Sequence, residues 1–110
     1  MRLWQRLPLP LVLLAAALTA PTTHADPLAP GRLLFRQSSV PACALCHALK
    51  DAGSEGAIGP SLDELKPDAA RVAKALRNGI GQMPAYRDKL TEQQIETLSR
   101  YVARASGAQR

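Results

Sequence analysis

Apolar residues recur with a helical period in two parts of the chain and run together in a third. Ile95, Leu98, Val102 and Ala105 follow one another at spacings of three and four, with Glu96, Arg100 and Arg104 outside the stripe. Thr91-Glu92-Gln93-Gln94 stands ahead of them in the form of a capping box, in which Thr91 and Gln94 take up each other's free amide donors. A helix entered at Thr91 is predicted. Ala69, Val72, Ala73 and Leu76 form a second stripe over residues 68–78, with Pro67 expected at the first helical position and Asn78-Gly79 as the stop. A shorter helix is expected from Pro30-Gly31 through Gln37, with Leu34 and Phe35 as its buried positions and Ser38 to Pro41 as its break. Residues 48–66 contain Gly53, Gly56, Gly59 and Pro60, which is turn chemistry. No segment reads as a strand. The pattern predicts an all-α domain of three main helices joined by long loops.

The continuous run lies at the start. Arg2 and Arg6 precede the apolar stretch Leu7 to Ala20, and small and polar residues follow up to Thr23-His24-Ala25. That order is expected of a secretory signal peptide covering residues 1–25, cut after Ala25, with one domain over residues 26–110. A cut after Ala20 would leave Pro21 in the first mature position. As an uncleaved anchor the run is short: it spans 14 residues and includes Pro8 and Pro10, whereas a spanning helix needs roughly 20 apolar residues. No membrane anchor is expected after cleavage. Losing Arg2 and Arg6 takes Lys and Arg from 14 to 12 against 9 Asp and Glu, so the net charge falls from +5 to +3. The cations are interspersed with acids, as Arg71, Lys74 and Arg77 are with Asp63, Glu64 and Asp68. They form no basic stripe of the kind that binds nucleic acid.

The remaining 85 residues hold only three aromatics, Phe35, Tyr86 and Tyr101. So small a core calls for a metal, a disulfide or a prosthetic group. Cys43-Ala44-Leu45-Cys46-His47 answers that need. Two thiols three positions apart can each add to a haem vinyl group, and the histidine after the second is then held as an axial iron ligand; C-x-x-C-H is the signature of such attachment. A thioredoxin-like pair would need a βαβ context. A structural zinc would need four ligands, and beyond residue 25 only Cys43, Cys46 and His47 are Cys or His. A disulfide across two residues would be strained and would leave His47 without a role. Met83 is the one methionine after residue 25, in the loop Gly79-Ile80-Gly81-Gln82-Met83-Pro84-Ala85-Tyr86. A methionine here has no helical face to pack from, and Pro84 biases it toward an extended conformation. It suits a thioether directed at a metal.

These features resemble a class I monohaem c-type cytochrome over nearly all of residues 26–110. The likeness rests on Cys43-Ala44-Leu45-Cys46-His47, Gly59-Pro60, Met83-Pro84, the pair Gly31 and Phe35, and the pair Leu98 and Tyr101. It implies a small cytochrome c fold wrapped around one covalently bound haem c, with Cys43 and Cys46 as attachment points and His47 and Met83 as axial ligands. It further implies that Gly31 lets the first and last helices approach while Phe35, Leu98 and Tyr101 close the contact beside the haem. Pro60 would offer its carbonyl to the far nitrogen of His47. Some members carry a tryptophan at the haem propionates; residues 26–110 have none, and Tyr86, Arg77, Asn78 and Gln82 stand as alternatives.

Two ligands from the chain leave no vacant iron position, and a thioether raises the reduction potential. The expectation is therefore an electron carrier of a bacterial periplasm, not an enzyme. Its partners would be redox proteins: a reductase or dehydrogenase on one side and a terminal oxidase or reductase on the other. Ala42, Ala44, Leu45, Pro84 and Ala85 would rim the haem edge, with Lys50, Lys66, Arg87 and Lys89 steering an acidic partner. The alternatives are the electron-accepting subunit of a periplasmic dehydrogenase and a gas sensor in which Met83 does not ligate.

Overall fold

The computed structural model describes residue 4 and residues 8–109. Arg2 and Arg6, the expected cationic start of the signal, lie outside the described residues. Residues 8–25 form no helix or strand and are exposed throughout. Local packing starts at Asp26, whose carboxylate accepts from Leu28 N at 2.9 Å and from Arg32 at 2.6 Å. Among the described residues no helix is long and apolar enough to cross a membrane.

Helix α1 (Ala29–Leu33) takes Pro30 in its first turn and continues as a π-helical turn, Leu34–Ser38, so the backbone stays helical one residue beyond Gln37 and the break begins at Ser39. Leu34 and Phe35 are buried there. A short helix α2 (Cys43–Cys46) carries both cysteines. The absence of strands is corrected: β1 (Ala48–Leu49) and β2 (Ser54–Glu55) pair antiparallel, Ala48 with Glu55 and Leu49 with Ser54. The apolar pattern is too short to announce two-residue strands. They form because Gly53, at φ 62°, turns the chain back and Ser54 Oγ bridges Leu49 N and His47 O.

Helix α3 (Leu62–Leu65) ends at Lys66 in a left-handed conformation. Helix α4 (Ala69–Asn78) starts two residues after Pro67, the expected first helical position. Asp68 caps it instead, because its carboxylate accepts from Arg71 N at 2.8 Å. Pro67 is buried ahead of it. Helix α5 (Glu92–Ala105) has the full capping box between Thr91 and Gln94. Its stripe is inside, with Ile95, Leu98 and Val102 at most 3% exposed. Glu96 and Arg100 pair across one turn outside.

The packing of α1 on α5 fixes the frame. Gly31 is pressed against Tyr101 so closely that an added Cβ would sit 2.2 Å from Tyr101 Cβ. Only glycine admits that approach. Phe35 meets the Tyr101 ring edge-on at 6.0 Å between centroids, a favoured aromatic geometry. The Tyr101 hydroxyl donates to Asp51 at 2.7 Å, and Arg32 holds the same carboxylate, tying the hairpin region to both helices.

Candidate functional site

A cavity of about 640 Å³ opens between α2, the loop after the hairpin, α4 and the loop after α4. Cys43, Cys46, His47, Pro60 and Met83 all line it, as do Phe35, Tyr86 and Leu98. Helix α2 brings the two cysteines to the same wall, since a one-turn helix puts positions three apart on one face. Both are free thiols, half-buried. Burial pushes the Cys43 thiol above its ordinary value, against the opposing effect of Ser39, whose hydroxyl lies 3.5 Å from the sulfur.

His47 closes α2 and is held by main chain. Its Nδ1–H donates to the Pro60 carbonyl at 2.8 Å, because a carbonyl can only accept. In the neutral ring that tautomer puts the lone pair on Nε2, the form a metal ligand requires. Gly59 N donates to Cys46 O at 2.7 Å, and a Cβ at Gly59 would meet the imidazole at 2.5 Å from Cε1. The absence of a side chain at 59 lets the loop lie flat against the ring.

The opposite wall is α4 and residues 79–85. Gly79 stops α4, and the loop is pinned by paired hydrogen bonds between Ile80 and Met83 and by Tyr86 N donating to Leu76 O at 2.6 Å. Met83 is half-buried against the core. The segment beyond is tied back toward α2. Tyr86 is 3% exposed and its hydroxyl donates to Pro41 O at 2.6 Å, while Lys89 Nζ donates to Val40 O at 3.0 Å. Burial above all pushes the Tyr86 phenol up to about 12.

Two of the four candidate propionate partners hold other groups. Arg77 grips Glu92 with three hydrogen bonds of 2.8 to 3.2 Å and does not line the cavity. Tyr86 lines it with its ring, but its hydroxyl is committed to Pro41 O. Asn78 and Gln82 do line it. Sequence reasoning passed over Arg71 and Lys74, which also line the cavity, as scattered surface charge. Their spacing of three on the helix that bears Val72 and Leu76 was the available signal.

Cavity walls of this character fit a haem: they are mainly apolar, thiols stand on one side, and an imidazole is fixed through Nδ1 by the Pro60 carbonyl. Over residues 26–102 the sequence matches the family described as cytochrome c oxidase, cbb3-type, subunit III. The chain belongs to this family of c-type cytochromes. The cytochrome is similar to a solved structure, that of the c-type cytochrome SorU from Sinorhizobium meliloti. They share 54% identity and a TM-score of 0.70, over 74% of this chain and 93% of that one. No curated protein matches it. The fold is that of a small monohaem cytochrome c, and its cofactor is covalently bound haem c.

Proposed function

We propose that the cytochrome is an exported electron carrier that passes single electrons between larger redox proteins of a bacterial periplasm and catalyses no reaction itself. Bound haem c supplies a one-electron Fe(III)/Fe(II) couple. The chain contributes the rest. Cys43 and Cys46 would anchor the group, and His47 Nε2 and the Met83 thioether would hold its iron. The Pro60 carbonyl raises the basicity of the imidazole and keeps it from rotating. Phe35, Leu98 and Val102 exclude water from one side, which limits what must rearrange when the charge changes.

The observation that carries this reading is the meeting of both thiols, His47 and Met83 on one largely apolar cavity. With His47 and Met83 both holding the iron, the haem would supply electron transfer and would offer no free position to oxygen or peroxide. Exposed apolar residues at α2 and the cavity mouth, Leu45 at 65%, Ile58 at 70% and Ile80 at 68%, suit brief contact with a partner. Export is supported by the exposed residues 8–25, which form no helix or strand, ahead of Asp26, whose carboxylate is bound to Leu28 N and Arg32. N-terminal sequencing of periplasmic material should begin at Asp26.

Met83→Ala tests the ligation. The wild-type ferric protein should show the charge-transfer absorption of sulfur-bound iron, and the variant should lose it, keep its covalent haem and bind carbon monoxide when reduced. A wild type without that band, or one that binds carbon monoxide readily, removes Met83 from the axial position and turns the reading toward a gas sensor.

A further inference from the structure

We infer that Arg71 and Lys74 are the carboxylate-binding residues of the cavity and that, by pairing with the two haem propionates, they help set the reduction potential. This rests on the haem reading above. Helix α4 gives Val72, Ala75 and Leu76 to the cavity, and Arg71 and Lys74 line it from the same helix. Among the described residues they are the only Lys or Arg that line it, and no described Asp or Glu does. A cavity with cations and no anions in its wall is complementary to a ligand that is apolar in its body and carries carboxylates.

Both cations are also uncommitted. Arg32, Arg77 and Arg100 each hold a carboxylate, whereas neither Arg71 nor Lys74 has an ion pair among the described residues. Each is exposed overall while still reaching the wall. That is how long cationic side chains lay their stems on apolar surface and keep the charged head wet. A carboxylate brought against an apolar wall needs such a partner, and the guanidinium fork of Arg71 can take one bidentately. Asn78 and Gln82 are neutral donors on the same wall; Asn78 Oδ1 accepts from Arg87 at 2.9 Å, and a neutral amide holds a carboxylate less strongly than a cation does.

The electrical consequence has a definite sign. Unpaired propionates stabilise ferric iron, and cations beside them oppose that effect, so Arg71 and Lys74 raise the potential. In the matured, haem-loaded protein, the double variant Arg71→Gln with Lys74→Gln should tilt the equilibrium toward ferric about tenfold, which is about 59 mV downward for one electron. Each single variant should shift it a few-fold, and Arg71→Lys and Lys74→Arg should stay near wild type. Resonance Raman spectra should show the propionate bending band displaced in the glutamine variants. Arg100→Gln is the control: it lies on the separate groove between α1 and α5 and is paired with Glu96, so it should move neither quantity. A folded, coloured double variant whose potential and propionate band match wild type overturns the proposal, as does an equal shift in Arg100→Gln. A colourless wild type would instead sink the haem reading beneath it.

Discussion

The contact of α1 with α5 and the wall made by α4 with residues 79–85 are packed to different standards. At the first, Gly31 lies against Tyr101, Phe35 meets the same ring edge-on, and Phe35, Leu98 and Tyr101 are at most 2% exposed. At the second, Val72, Ala75 and Met83 are only half-buried and turn toward a cavity. One region is closed by the chain's own side chains. The other has apolar positions with the right period but too few large residues to meet across the gap. A domain with three aromatics can form the first kind of contact without help; the second is completed by what it binds.

The sharpest way to break the contrast is to deny the chain its haem. Cys43→Ala with Cys46→Ala should give no covalently coloured protein after acid-acetone extraction, and amide exchange should accelerate most in α4 and residues 79–85. If α1 and α5 lose protection no less than α4, the two regions are not separable. Next comes Gly31→Ala. A methyl group 2.2 Å from Tyr101 Cβ must force the helices apart, and overpacking of this kind costs about 1–3 kcal/mol. Urea unfolding should register that loss while the visible spectrum of the folded fraction stays unchanged.

Smaller still is Tyr101→Phe, which keeps the ring but removes the hydroxyl from Asp51. Asp51 retains Arg32, so the loss should be about 1 kcal/mol in the same assay. The smallest effect is in pH dependence. Burial first, then its bond to Asp51, holds the Tyr101 phenol well above its ordinary value, and Tyr86 sits at about 12. The unfolded chain gives up these protons near pH 10, before the folded one does. Stability from both groups is therefore complete below about pH 10 and declines above it, and Tyr101→Phe should flatten that decline in part. At the acid end the sign reverses. Arg32 holds the Asp51 carboxyl below the usual range, so its contribution is present above about pH 4 and fades below.

The same contrast separates what the sequence discloses from what it conceals. The α5 stripe, its capping box and the α4 stripe were legible, because a helix writes its burial into the spacing of residues a few positions apart. The attachment motif was legible for the same reason: its parts are adjacent. The hairpin at 48–55 was not, since its strands are two residues long and depend on Gly53 and the Ser54 hydroxyl. The bond made by Arg77 was hidden too, because nothing local tells which of three cations on one helix meets a carboxylate from elsewhere. Glu92 claims Arg77 from 15 positions away.

The imidazole of His47 takes its bearing from an oxygen of the main chain. A contact of that kind is indifferent to which side chain occupies position 60, so exchanging residues there deletes no acceptor, and only displacement of the loop does. The vulnerable neighbour is position 59, where the smallest added carbon collides with the ring. In a survey of variants, tolerance at the residue that makes the bond and intolerance at the one that makes room for it would be the signature of this arrangement.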